Sequence, residues 1–283
     1  MRTKRIPVAA LLLALTVMLT ACASDAKKAP EAAAASAVLD VHFFDAGKAD
    51  AILLTTADSA VLIDAGEKGF GKTILAYLEE RGVEKLDYLI VTHFDKDHVG
   101  GAAKVINNIA VGAVLQSNCP KDSEEYEKYV KALANAGVEP VTVREVLTFA
   151  LDGVTYTVDP PRQERYADDP SNNSSLIVSV ANGADRFLFT GDAQTARLAE
   201  FLSGDVPACD VLKLPHHGKD EPLLAALLDA ARPAYAVITS SDEEPESDAT
   251  IEALERAGAA VLLTRNGAVT LRSDGDGVEV LAE

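Results

Sequence analysis

Apolar residues along this chain come in short blocks separated by glycine, asparagine, aspartate and serine, a rhythm that predicts alternating strands and helices. The blocks at residues 41–44, 51–55 and 60–63 are strand-like, each closed by a turn at Gly47, Asp58 or Gly66. Helical spacing over 73–81 stops at Gly82, and the apolar run 86–91 returns to a buried strand. A helix is expected over 101–108, a strand over 113–116, and a charged amphipathic helix over 122–136 that Gly137 ends. Strands follow at 141–143 and 154–158, then a hairpin of 176–181 with 186–190 that turns over Asn182-Gly183. Helices over 195–202 and 221–231 flank a strand at 210–215. A strand at 235–239, a helix at 248–257 and strands at 260–264 and 268–272 complete the order. Mixed elements with several hairpins imply an α/β fold in which two sheets are sandwiched between helices.

One apolar stretch breaks this rhythm. Residues 6–19 follow a basic start of Arg2, Lys4 and Arg5 and have the length of a signal-peptide core, too short for a transmembrane helix. The stretch ends in Leu19-Thr20-Ala21-Cys22, which resembles a bacterial lipobox, where cleavage precedes a cysteine that then receives lipid. We therefore expect a lipoprotein signal peptide at 1–21, lipidation of Cys22, a flexible alanine-rich tether at 22–37 and one folded domain at 38–283. The expected location is the extracytoplasmic face of a bacterial envelope membrane, held through the N-terminal lipid alone.

Charge narrows the partners. The chain has 44 acidic and 26 basic residues, a net charge of −18. Residues 1–21 contain three basic and no acidic residues, so without them the net charge is −21. Such a surface repels polyanions unless a metal or a local basic patch intervenes. The two further cysteines, Cys119 and Cys209, form no CxxC pattern and so no zinc finger; a disulfide between them remains open in an oxidising compartment. No nucleophile elbow, phosphate-binding loop of Walker type or dinucleotide fingerprint is present.

The chemistry gathers where strands end. Thr92-His93-Phe94-Asp95-Lys96-Asp97-His98-Val99-Gly100-Gly101 places two imidazoles and two carboxylates in six positions directly after the strand 86–91. Of the five histidines in the chain, two are here and two more are His216-His217, a clustering that points to a metal site rather than to scattered structural histidines. Phe187-Leu188-Phe189-Thr190-Gly191-Asp192 and Asp210-Val211-Leu212-Lys213-Leu214-Pro215-His216-His217-Gly218 repeat the device, an apolar strand delivering ligand-type side chains at a glycine. Asp192 alone is equally an N-cap of the following helix. Neighbouring strand residues face opposite ways, so one of His216 and His217 is expected on the metal and the other against substrate or behind the ligands. His42 and Asp64 are expected to pack or to support the site rather than to ligate.

Taken together and in order, these passages resemble the metallo-β-lactamase superfamily of hydrolases, and within it the hydrolase domain of ComEC-like competence proteins. Val41-His42-Phe43-Phe44-Asp45-Ala46-Gly47-Lys48-Ala49-Asp50-Ala51 is similar to the family's opening VHFxDVGQGDA, and Leu62-Ile63-Asp64-Ala65-Gly66 to its second element. Residues 93–101 match HxDxDHxGG, and Asn172-Asn173-Ser174-Ser175-Leu176, Thr190-Gly191-Asp192 and residues 212–218 complete the set. The resemblance implies an αββα sandwich with two divalent metal ions, zinc or manganese, between the sheets. It implies His93, Asp95, Asp97 and His98 as ligands, Asp192 as the bridging ligand, and His216 or His217 as the last. The superfamily commonly has histidine where Asp95 stands, and a further histidine before the bridging aspartate; here none lies between His98 and His216. Asn172, Asn173, Ser174 or water is left to fill that place, and the oxygen-rich set leans toward manganese. The family's HHGS ends here in Lys219, a cation beside the centre, and the acidic loop 240–248 lacks the family's late histidine.

Asp97, His217 and Lys219 are the catalytic candidates, with Asp97 placed to accept a proton from a metal-activated water. Lys48 and Lys96 join Lys219 as cations able to attract a phosphate. The resemblance implies a phosphodiesterase or nuclease-like enzyme acting on a small-molecule, nucleic-acid or envelope substrate. Two alternatives stand beside it: an ester hydrolase of phosphorylcholine type acting on cell-envelope material, and a metal-binding surface adaptor without catalysis. No protein partner is legible.

Overall fold

The structure, a computed structural model, describes residues 36–281. The leader, Cys22 and most of the tether lie outside these residues. The first sheet is built from β1 (Leu39–Phe43), β2 (Ile52–Thr55), β3 (Ala60–Ile63), β4 (Lys85–Val91), β5 (Ala110–Gln116) and β6 (Val141–Thr142). The second follows with β7 (Leu147–Leu151), β8 (Val154–Asp159), β9 (Ile177–Asn182), β10 (Asp185–Phe189), β11 (Val211–Lys213), β12 (Tyr235–Ile238) and β13 (Ala260–Leu263). The chain then returns to the first sheet with β14 (Val269–Ser273) and β15 (Val278–Leu281), giving the order β15-β14-β1-β2-β3-β4-β5-β6 against β13-β12-β11-β10-β9-β8-β7.

Three apolar layers follow from the two-residue period of the strands. Ile52, Leu54, Val61 and Ile63 of the first sheet meet Tyr156, Val178, Phe187 and Phe189 of the second between the sheets. Their alternates Leu53, Leu62 and Leu89 pack outward on Ile74 and Leu78 of α1 (Gly71–Glu80), Val105 of α3 (Ala102–Ile106) and Leu133 of α4 (Glu124–Ala136), with the short α2 (Lys96–Val99) preceding α3. On the far side, Leu188 and Leu212 pack on Leu198 of α5 (Thr195–Leu202), Leu227 of α6 (Leu224–Ala231) and Leu254 of α7 (Asp248–Ala257). This is the αββα sandwich expected from the sequence. Strands covered on both faces read as continuous apolar runs, which is why the central ones were legible.

Helix ends obey local chemistry. Ser123 Oγ accepts from the Tyr126 amide at 3.3 Å with Glu124, Glu125 and Glu127 in the first turn, and Gly137 closes α4 at φ 68°. Ser247 and Gly258 do the same for α7. The edges departed from expectation. β7 and β15 are additional strands, both at sheet edges, where half-burial weakens the apolar signal. The hairpin between β9 and β10 pairs Asn182 with Asp185, so the loop is Gly183-Ala184, one residue later than predicted. Buried Asn182 stays in the strand because its side-chain amide donates to Ala37 O at 2.7 Å and Ser273 Oγ at 2.8 Å. Cys119 and Cys209 are free thiols, so the disulfide left open above is not formed. Among the described residues no helix is long and apolar enough to cross a membrane.

Candidate metal centre

Parallel pairing of β3 with β4, of β10 with β11 and of β11 with β12 brings the carboxyl ends of these strands to one end of the sandwich. Asp64 follows β3, His93 to His98 follow β4, Asp192 follows β10, His216 and His217 follow β11, and Thr239 follows β12. Ligands in α/β sheets sit at this end because the loops there are free to carry side chains that the strands only position. The first loop turns straight into α2, whose opening turn presents Asp97 and His98. A Cβ on Gly101 would lie 2.1 Å from Ala65 O, so only glycine permits that approach.

Four predicted residues converge. One ligand atom each from Asp97, His98, Asp192 and His217 lies within 4.8 Å of the others, and all four residues are buried. His98 Nε2 stands 3.3 Å from His217 Nε2 and 3.3 Å from Asp192 Oδ1, and His217 Nε2 is 3.1 Å from Asp192 Oδ2 and 3.5 Å from Asp97 Oδ2. The outer nitrogens decide the tautomers. His98 Nδ1 donates to Asp64 Oδ2 at 2.8 Å, and His217 Nδ1 donates to the Thr239 carbonyl at 3.0 Å. Both inner nitrogens are thereby left as acceptors, facing each other and a carboxylate. Such a set calls for positive charge between its members, whether protons on the imidazoles or a metal ion, and its mix of nitrogen and oxygen donors fits a divalent metal.

His93 makes the same arrangement one step away. Thr92 Oγ1 donates to Asp64 Oδ2 at 2.6 Å, so it accepts from His93 Nδ1 at 3.1 Å. The inner His93 Nε2 is fully buried, has no hydrogen-bond partner and stands 4.0 Å from Asp192 Oδ2. Asp95 is not among the converging ligand atoms: its Oδ1 accepts from Lys121 Nζ at 2.6 Å and from Ser171 Oγ.

The electrostatics express the same demand for a cation. Burial alone would lower the His98 pKa, yet Asp192 and Asp64 hold it well above the ordinary value, and His217 is raised in the same way by Asp192, Asp97 and Asp50. Burial would raise the Asp192 carboxyl, but His217 and His98 keep it well below the usual range. Burial and its neighbour His98 push His93 down to about 4, which keeps its imidazole neutral. The metal-binding forms are neutral imidazole and ionised carboxylate, so an ion bound here would take the place of the protons that Asp192 and its neighbours favour on His98 and His217.

The histidine pair is resolved by backbone conformation. His216 (φ 48°) and His217 (φ 54°) are both left-handed and are followed by Gly218 at φ 75°. Non-glycine residues adopt this region at a cost, here twice in succession. The turn sends His217 into the cluster and His216 outward, where Gln194 Nε2 lies 3.1 Å from its Nδ1 and Glu221 Oε1 is 3.9 Å away. His216 lines a cleft of about 340 Å³ above the cluster together with Asp95, Asp97, Asp192, Asn172 and the lysines Lys48, Lys96 and Lys121. Lys219 does not line that cleft; its ammonium donates to Pro245 O at 3.3 Å. Lys48 Nζ lies 2.9 Å from Asp97 Oδ2.

Several site residues lay inside the quoted motifs or beside them without a role that the sequence could assign. Lys213 appeared as part of an apolar strand, and Asp50 as part of a loop, yet both are buried here and paired. Thr239 joins them, donating to Asp50 Oδ1 at 2.6 Å. Ser175, rather than Asn172, Asn173 or Ser174, approaches His93, at 3.4 Å from Nδ1, and accepts from the Asp192 amide at 3.1 Å. Asn173 and Ser174 instead hold the loop, Asn173 Oδ1 accepting from the Arg197 amide and Ser174 Oγ donating to Ser171 O. Fully buried Arg197 braces it by donating to Ser175 O and Asp159 O. Asp64 accepts from Thr92 and His98 and so supports the ligands, and His42 stacks on Tyr77 and pairs with Thr270 Oγ1 at 2.7 Å.

Comparison with known proteins bears on the family and the fold. The chain is 29% identical over 204 residues to Competence protein ComA of Neisseria gonorrhoeae, a match covering 71% of this chain and 27% of that protein. It is 28% identical over 212 residues to ComE operon protein 3 of Bacillus subtilis, covering 71% and 26%. The chain thus spans about a quarter of the length of the curated relatives it matches. Its fold is similar to that of the metallo-beta-lactamase fold protein YhfI from Bacillus subtilis, with a TM-score of 0.58 at 11% identity over 84% of this chain and 100% of that one. The profile of the Metallo-beta-lactamase superfamily, whose members are mostly metal-dependent hydrolases, matches residues 45–240, and this chain belongs to that superfamily.

Proposed function

We propose that the chain is an extracytoplasmic metallohydrolase, anchored through lipid on Cys22, that cleaves phosphodiester bonds and has a nuclease-like substrate range. The observation that carries this reading is the facing pair of imidazole acceptors and two carboxylates beneath a cleft that Lys48, Lys96 and Lys121 line. A divalent ion held by these donors supplies Lewis acidity and a water that ionises near neutral pH. The protein's part is positional. Asp97, His98, Asp192 and His217 would hold such an ion, while Asp64 and Thr239 fix the two imidazoles in the ligating tautomer. Asp97 lines the cleft and is our candidate to accept the proton of the attacking water. Each of the three lysines is ion-paired, Lys48 with Asp97, Lys96 with Glu67 and Lys121 with Asp95, so in an acidic cleft the divalent ion would be the main attraction for an anionic phosphodiester, with the lysines as added donors. The relative named a competence protein supports placing nucleic acid among the substrates. The net charge of −18 favours the second reading, an ester hydrolase of phosphorylcholine type acting on envelope material.

The test is turnover of bis-p-nitrophenyl phosphate, single-stranded DNA and p-nitrophenyl phosphorylcholine with manganese or zinc, by the wild type and Asp192→Ala. Hydrolysis of the first two is expected, and Asp192→Ala should lose about 10²–10³-fold in rate with its metal. Turnover of the phosphorylcholine ester alone would select the second reading. Bound metal with no turnover would leave a metal-binding adaptor.

A further inference from the structure

Behind the metal ligands lies a lysine with no solvent exposure. Lys213 ends β11, and its ammonium is held by Asp50 Oδ2, donates to the Gly191 carbonyl at 3.1 Å and stands 3.8 Å from Asp192 Oδ1. An isolated charge is not tolerated in such a place, so this ammonium is part of the charge balance of the centre. Four carboxylates are buried there, those of Asp50, Asp64, Asp97 and Asp192. Two ammoniums answer them, Lys213 on Asp50 and Lys48 on Asp97. One divalent ion balances the remaining two, and Asp95 is balanced separately by Lys121. A second divalent ion would leave the buried cluster with two excess positive charges.

Donor supply leads to the same count. Asp50, Asp64 and His98 also offer ligand atoms within 4.8 Å of one another, but each is already engaged. Lys213 and Thr239 hold Asp50, Thr92 holds both oxygens of Asp64, and His98 Nδ1 donates to Asp64. On the other side of the centre, among the described residues, His93 joins no group of three or more converging ligand atoms; its Nε2 stands 4.0 Å from the shared Asp192, and Asp95 Oδ1 accepts from Lys121 and Ser171.

Building on the metal-centre reading above, we infer that Lys213 is a resident monovalent cation standing in place of a second metal ion, so that the chain holds one divalent ion tightly. The sequence resemblance implied two. The lysine also ties the halves of the sandwich together, since it rises from the second sheet and its partner Asp50 precedes β2 of the first.

The test is a manganese(II) titration of the purified full-length wild type, Lys213→Met and Lys213→Arg, with bound metal counted by equilibrium dialysis and examined by low-temperature electron paramagnetic resonance. The wild type and Lys213→Arg should bind one ion per chain and show the six-line spectrum of isolated manganese. Lys213→Met keeps the length and removes the charge. It should bind a second ion about tenfold or more tightly than the wild type does and show an exchange-coupled pair. Two tight ions in the wild type, or no gain of a second ion in Lys213→Met, would overturn the inference and leave the metallohydrolase reading intact. A wild type that binds no manganese or zinc would sink both. If Lys213→Met loses its cooperative melt, Lys213→Gln, still able to donate to Gly191, replaces it, and the wild-type count decides.

Discussion

The loop after β4 delivers its metal-facing side chains within six consecutive positions and runs directly into α2, whereas the loop after β11 delivers one imidazole and places two successive residues in the left-handed region to do so. In the first, helical geometry arranges Asp97 and His98, and supports come from the same sheet, chiefly Asp64 and Thr92. In the second, the supports cross between sheets: Asp50 reaches Lys213 and Thr239, and Thr239 orients His217. The difference teaches that a ligand set can be half local and half long-range, with the strain concentrated where sequence neighbours cannot help.

The sharpest way to break this comparison is to separate the two histidines of the second loop. His217→Ala should weaken metal binding by about 100-fold or more, beyond the effect of losing a supporting group. His216→Ala should keep its metal and instead raise KM, because His216 faces the cleft. Calorimetric metal titration with steady-state kinetics reads both, and equal losses of metal would refute the division of labour. Next in size are the glycines. A Cβ at Gly101 meets the backbone at Ala65 O (2.1 Å) and Gly71 N (2.9 Å), so Gly101→Ala should cost about 3 kcal/mol or more in a denaturant melt. At Gly218 the neighbours are side-chain atoms, Ile238 Cγ2 at 2.8 Å and Glu246 Cβ at 3.0 Å, and φ is +75°. Gly218→Ala should cost about 1–2 kcal/mol. A larger loss at Gly218 would place the rigid half of the site in the second loop.

The smallest effect is in pH dependence. Burial, with Asp220, Asp169 and Asp192 nearby, pushes the Glu221 carboxyl up to about 7. A raised folded pKa means that the native state holds a proton the unfolded chain has released, so stability falls as pH rises from the ordinary glutamate range through about 7. Glu221→Gln should flatten that decline in thermal midpoints, whereas loss of the slope at the first loop's residues alone would assign it elsewhere.

What was legible differed in the same way between the two regions. The first cluster was legible as a group because its donors are adjacent and its strand is buried on both faces. Asp192 and the histidine pair were legible as candidates, since an apolar strand ending at glycine is a local signal. The choice of His217 over His216 was not, because it follows from backbone conformation after Pro215. Nor was the turning of Asp95 toward Lys121 and Ser171, whose loops approach only in the folded sandwich. The edge strands β7 and β15 escaped notice because half-buried edges carry little apolar contrast.

The sequence by itself determined the succession of strands and helices and the kinds of donor at each strand end, because periodicity and residue chemistry act between near neighbours. Tertiary structure alone decided which imidazole enters the cluster, which carboxylates are neutralised by lysine, and where Lys213 lies. Asp50 and Thr239 are 189 positions apart, and no local pattern records a hydrogen bond of that span. Such pairings exist only once two sheets have closed on a common core and withdrawn their charged groups from water, where each must find a partner.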